Sequence, residues 1–307
     1  MDPIGLIEEG KIKRYLKAKR KLNHPHLVSH ITQRAAGREP LFIEPDDFLF
    51  MLALLKELTA KYTLRIFAFC LMPNHVHLLL SPNEQNLYDA MRDLFSRYAM
   101  RFNHKYERKG HLFGGPYRQA VCMDDSYLLA ASLYIHLNPV KAGIAGNVSD
   151  YRWSSCRLYC EKNAPASFVD PVFILALLCQ NISEARQQYR VLLKNGGGIK
   201  AGHVLEQEDA IEMFQRKLAS IFPRLFKQID KENRIAGYAG MDLLALDVLE
   251  EQINKFKKGD SLNRPESRQA KKFLIQQLVA RGFKRSEIAE QLGISRKTVY
   301  NLLKSRT

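Results

Sequence analysis

The chain has 307 residues, 47 Lys+Arg against 32 Asp+Glu, and a net charge of +15. At 46% apolar and 26% charged it is not disordered, collagen-like or low-complexity, and its length allows a sizeable core and two domains. Its longest apolar runs, 48–55 and 172–179, fall well short of the roughly 20 residues of a membrane helix. The start lacks a secretory leader and the five cysteines lack paired spacing, so a cytoplasmic, nucleoid-associated protein with no membrane partner is expected.

In chain order, a basic stretch at 11–21 reads as a surface helix or arm, and 26–32 alternates as a strand. A polar loop follows at 33–40. Pro45-Asp46-Asp47 then opens a helix to about Tyr62, with acidic residues in its first turn. Strands at 64–71 and 75–81, separated by Met72-Pro73-Asn74, predict an antiparallel hairpin. A long helix over 86–106 carries an apolar stripe of Leu87, Met91, Leu94 and Tyr98. Arg97, Arg101, Lys105 and Arg108 form a basic stripe on another of its faces, which suits either phosphate tracking or a solvated surface. A short strand at 117–122 adds Arg118 to these DNA-binding candidates. Asp124-Asp125-Ser126 caps a helix expected to stop before Pro139. The order β-α-β-β-α-β-α favours an α+β antiparallel sheet with helices on one face over a parallel one. Beyond it, 151–159 reads as a helix and 165–250 as mostly helical, broken by Asn195-Gly196-Gly197-Gly198. The expected domains are 1–160, a helical connection 161–260, and 261–307.

His75-Val76-His77 lies on a strand, so both imidazoles share a face, about 7 Å apart along the chain. On spacing alone a metal site and a satisfied surface pair are equally consistent. A second pair, His24-Pro25-His26, has proline at its centre and reads as incidental. No Cys or carboxylate cluster neighbours His75 and His77, which argues against structural zinc. Two His plus one oxygen donor would leave positions open on magnesium or manganese acting on a phosphate. In the helix 126–137, Tyr134 and Asn138 are neighbours one turn apart, which a core tyrosine before a helix-ending Asn-Pro also explains.

Met72-Pro73-Asn74-His75-Val76-His77-Leu78-Leu79-Leu80, Gly110-His111-Leu112-Phe113, Tyr127-Leu128-Leu129, Tyr134-Ile135-His136-Leu137-Asn138-Pro139-Val140-Lys141-Ala142-Gly143 and Asp150-Tyr151-Arg152-Trp153-Ser154-Ser155 follow in order. This series resembles the REP-associated tyrosine transposases, a branch of the single-tyrosine HUH nucleases, over roughly half of the chain. The resemblance implies a ferredoxin-like catalytic domain acting on single-stranded hairpin or repeat DNA. It implies His75 and His77 as metal ligands, Asn138 as the third, Tyr134 as the nucleophile, and a 5′-phosphotyrosine intermediate. Gly114-Gly115-Pro116-Tyr117-Arg118 departs from the Gln-Gly-Arg-Phe-Lys-like run usual in such relatives. The alternative is a catalytically silent, domesticated DNA-binding regulator; a replication initiator or relaxase would share the chemistry.

The tail 284–303 resembles a helix-turn-helix. Ser286 and Ser295 are the expected caps, Gly293 the turn, and Ile288, Ala289, Leu292, Ile294, Val299 and Leu302 the small core. Arg296, Lys297, Thr298, Tyr300 and Asn301 would face the major groove of duplex DNA. Charge agrees: 251–307 holds fourteen basic and five acidic residues, net +9. The expected partner is therefore DNA, single-stranded at one site and duplex at the other, with the chain a monomer or homodimer.

Overall fold

The computed structural model describes residues 21–199 (apart from 22, 24, 38 and 123), 210–235 (apart from 233), 249, 252–254, 256–257, 265–280, 283 and 285–304. The basic stretch 11–20 and His24 lie outside the described residues. Two compact units emerge: one spans Asn23–Ala239, and the described C-terminal elements belong to the other.

The larger unit is built on four strands: β1 (Ser29–Arg34), β2 (Leu64–Met72), β3 (His75–Pro82) and β4 (Arg118–Val121), ordered β2-β3-β1-β4. Every neighbouring pair is antiparallel. With α1 (Pro45–Lys61) and α2 (Leu87–Lys105) as connections, this is the α+β ferredoxin-like arrangement expected from the sequence. Two cores sandwich the sheet. Ile31, Leu71, Val76, Leu78 and Leu80 pack with α1 and α2 on one face. Phe67, Cys70, Met72 and Leu79 pack on the other with α3 (Asp125–Lys141). The two connecting helices thus share a face as expected, and a third helix covers the opposite one. A register shift between Ile66 and Ala68 lets both Phe67 and Ala68 turn to the α3 side.

Several local expectations change. His26 has φ 60, which a strand cannot continue, so β1 begins only at Ser29. Pro139 lies inside α3 rather than beyond it. Proline removes one donor, yet the helix runs on to Lys141, and Ala142 N–H closes it by donating to Asn138 O at 2.9 Å. Instead of a helix over 151–159, residues 153–155 run along β2, with Leu71 N donating to Trp153 O and Ser155 N to Phe69 O; only α4 (Cys156–Cys160) is helical. That segment satisfies backbone groups that an edge strand would leave open.

The larger unit continues through α5 (Val172–Leu175), α6 (Ile182–Gly197), α7 (Ala210–Ile221) and α8 (Pro223–Glu232). The expected break at the glycine run is absent: α6 passes through Gly196 and Gly197. A Cβ on Gly196 would come within 2.9 Å of Leu137 Cδ1 and 3.0 Å of Phe214 Cζ, so the glycine permits close packing of α6 on α3 and α7. No described helix is long and apolar enough to cross a membrane.

The smaller unit contains α9 (Pro265–Ala280), α10 (Arg285–Leu292) and α11 (Arg296–Lys304). Ile288, Ala289, Leu292, Val299 and Leu302 form the expected core, joined by Leu274, Ile275 and Leu278 of α9. Gly293 turns the chain at φ 64, and Ser295 Oγ accepts from Thr298 N at 3.0 Å as the cap of α11. Ser286 is not a cap, because α10 starts one residue earlier.

Candidate active site

Register places the histidines. His77 lies opposite Thr32 and His75 opposite Arg34 across the β1–β3 ladder, and Thr32 lies opposite Arg118 across β1–β4. Paired residues share a face, so all of these stand on the α3 side, while Val76 and Leu78 enter the other core. His30, two residues before Thr32, joins them. Its ring stacks on His77 at 5.0 Å, and its Nε2 lies 2.9 Å from His77 Nδ1. The His75 ring meets His77 edge-on at 4.7 Å, and His75 Nδ1 lies 2.7 Å from Asn74 Oδ1.

The helix brings its share from above. Asp124 caps α3 by accepting from Tyr127 N at 2.6 Å. The Tyr134 ring stands edge-on to His77 at 6.2 Å, and Asn138, one turn later, donates its amide to Tyr134 O at 3.2 Å. That bond leaves the Asn138 Oδ1 as the oxygen donor of the group. Between the two, His136 points elsewhere. Its Nδ1 lies 2.8 Å from Tyr189 Oη and its Nε2 2.8 Å from Ser155 Oγ, which also accepts from Phe69 N. This buried network fixes the rotation of α3 against β2 and α6.

Burial sets the electrostatics. It pushes His30 down to about 4 and His77 well below the usual imidazole range, with the charge of His75 adding to both. Both rings are therefore neutral at pH 7, the form in which imidazole offers a lone pair. His77 Nε2 is buried and has no hydrogen-bond partner. An imidazole nitrogen left orphaned beside a second His is the kind of donor a divalent cation takes. Among the described residues no set of three His, Cys, Asp or Glu side chains could hold a metal ion. Lys141, a further turn along α3, has an Nζ that is buried without a hydrogen-bond partner. It lies 5.6 Å from the Tyr134 ring centre and 4.0 Å from that of Phe214. Burial, then the charge of Lys217, lowers it to about 8.

Tyr134 is only 2% exposed. Phe214 of α7 meets its ring at 6.1 Å, on a helix whose sequence carries no motif of its own.

The basic stripe of α2, with Arg108 just beyond it, is ion-paired within the fold. Arg97 pairs with Glu57 at 2.6 Å, Arg101 with Asp46 at 2.6 Å, Lys105 with Asp47 at 2.8 Å, and Arg108 with Glu39. The stripe belongs to a helix on the face opposite the His–Tyr group, and its charges are matched by carboxylates of α1 and the preceding loop. Arg118, in contrast, is exposed on the His face. In the smaller unit Arg296, Lys297, Tyr300 and Asn301 are exposed along α11 and Thr298 is half-buried.

Residues 23–138 match the protein family Transposase IS200 like. Over this segment the chain is similar to that family. The segment contains the sheet, the His75/His77 strand and the helix turn from Tyr134 to Asn138. Residues 266–305 match the family Homeodomain-like domain, in agreement with α9–α11. No curated protein matches the chain. Among solved structures, a REP-associated tyrosine transposase bound to a REP hairpin is 14% identical, with a TM-score of 0.41 over 49% of this chain and 92% of that one. The matched segment holds His75, His77, Tyr134 and Asn138. Sequence reasoning missed His30, Lys141 and Phe214. Period two along β1 and helical spacing from Tyr134 point to the first two, whereas nothing in the sequence points to Phe214.

Proposed function

We propose that the chain is a metal-dependent DNA strand transferase that cuts single-stranded hairpin or repeat DNA through Tyr134. The observation that carries this reading is the Tyr134 ring set against His77, whose buried Nε2 has no partner. His75, His77 and the Asn138 amide oxygen would hold magnesium or manganese. When bound, such a cation supplies polarisation of a non-bridging phosphate oxygen. A free tyrosine phenol titrates near 10, so it needs a cationic neighbourhood to act as a nucleophile at neutral pH. Lys141, lowered to about 8 and so still largely protonated at pH 7, would set a positive charge beside that ring. Tyr134 Oη forms a bond to phosphorus and loses its proton, while the P–O3′ bond breaks and the 3′ oxygen gains one. The covalent ester keeps the energy of the phosphodiester, so a 3′-hydroxyl reverses the step and joins strands. Arg118 would contact the strand from the sheet edge, and α11 would read adjacent duplex. Such chemistry belongs in the cytoplasm, on chromosomal DNA.

One observation favours a second reading, the catalytically silent regulator: Tyr134 is buried beneath Phe214. Incubation with single-stranded hairpin DNA and manganese separates the two. A covalent adduct that Tyr134→Phe abolishes supports the transferase. Tight binding without an adduct on cognate repeats supports the regulator.

A further inference from the structure

His77 and His30 form a buried imidazole pair with one hydrogen bond between them, at 2.9 Å from His77 Nδ1 to His30 Nε2. Both rings are more than nine-tenths buried, so water does not compete for that bond. One of the two nitrogens carries the proton and the other accepts it. If His77 were protonated at Nε2, that N–H would be a buried donor without an acceptor. If His77 is protonated at Nδ1, the bond to His30 is satisfied and the orphan at Nε2 is a lone pair. A cation relieves only the second arrangement. Thr32 Oγ1, 3.3 Å from His77 Nδ1 and 3.4 Å from His30 Nε2, supports the pair through longer contacts.

We propose that His30 is a positioning residue of the cation site, accepting the His77 Nδ1 proton at its own Nε2 so that the His77 Nε2 lone pair faces the cation. The proposal rests on the reading that His75, His77 and Asn138 hold a divalent cation. Its logic is that of ligating histidines generally, whose second nitrogen donates to a partner that sets tautomer and ring orientation. The partner here is another imidazole rather than a carboxylate. A neutral acceptor adds no negative charge next to the site, which suits a cation that must also engage a phosphate.

The test uses the full chain and manganese alone, with binding read by calorimetry or by the spin resonance of free Mn2+. His30→Phe keeps the ring bulk and removes the acceptor; His30→Gln restores an amide oxygen near the former Nε2. The expected result is binding weakened about 10–100-fold in His30→Phe, with His30→Gln within a few-fold of wild type. Nitrogen NMR of the metal-free wild type should show His77 protonated at Nδ1, a readout that needs no variant to fold. A folded His30→Phe that binds Mn2+ as tightly as wild type overturns the proposal, as does a His77 proton found on Nε2. If the wild type binds no Mn2+, or the His75→Ala/His77→Ala double variant binds it equally, the cation site itself fails and His30 falls with it.

Discussion

His136 and Lys141 are ionisable groups held in their neutral-favouring environments by burial, and both leave a pH signature. His136 titrates near 6.5 when unfolded and about 3 when folded, so the unfolded chain binds more protons below pH 6.5. Stability is then complete above pH 6.5 and lost as pH falls toward 3, with a slope of at most about 1.4 kcal/mol per pH unit for one proton. His30, lowered to about 4, acts in the same direction. Urea midpoints measured from pH 7 to 4 should fall, and less steeply in His136→Gln. Lys141 is lowered to about 8 from 10.5, so the folded chain again holds fewer protons and stability rises between those values. Lys141→Met should flatten that rise and stabilise the chain at pH 7, yet slow adduct formation by removing the charge beside Tyr134. A stabilised variant with unchanged adduct rate would show that Lys141 has no part in the chemistry.

At the scale of elements, α3 is clasped from three sides. β2 and α6 hold it through His136, α7 lies over Tyr134 through Phe214, and Asp125 accepts from the backbone N–H groups of Arg234 at 2.6 Å and Ile235 at 2.7 Å. The proposed attack by Tyr134 would need its buried ring to become accessible, and Phe214 is one of the side chains packed against it. Phe214→Ala should increase tyrosine-specific labelling at Tyr134, read by mass spectrometry, at a stability cost of about 3 kcal/mol. Labelling equal to wild type would mean that Phe214 is not what covers the ring. The α2 stripe makes an opposite expectation. Its arginines are surface ion pairs worth about 0–1 kcal/mol each. Arg97→Ala and Arg101→Ala should leave single-strand affinity and its salt dependence unchanged. Arg118→Ala should lower the salt slope by about 0.7, the effect of engaging one phosphate fewer on a single strand. A slope that drops for Arg97 instead would return the stripe to the DNA path.

At the scale of the whole molecule, the charge of +15 is not all equally available. Charge on α2 is neutralised within the fold, whereas α11 exposes its basic start. Arg296→Ala with Lys297→Ala should weaken duplex binding at every salt concentration and reduce the slope by about 0.9 for each duplex phosphate no longer neutralised. Adduct formation on a short single-stranded hairpin should be unaffected, because Tyr134 and its neighbours belong to the other unit. Equal weakening in both assays would mean that the units do not divide the two DNA tasks.

Much of the site is legible in the sequence, because it depends on local periodicity. Alternation along 75–81 puts His75 and His77 on one face, the spacing from Tyr134 to Asn138 puts them on one helical turn, and the Gly293 turn with its Ser295 cap locates α10 and α11. Two-residue and 3.6-residue periods are properties of the backbone and need no tertiary contact. What stays hidden depends on partners distant in sequence. His30 reaches His77 across 47 residues, and Phe214 covers Tyr134 from a helix 80 positions later. The basic stripe looks available in the sequence because its carboxylates lie 40 to 69 residues earlier. Local sequence therefore dictates which residues share a strand face or a helix turn. Which charges are already paired, which nitrogen is left without a partner and that Tyr134 lies covered are set by the folded chain alone, because they follow from burial and long-range packing.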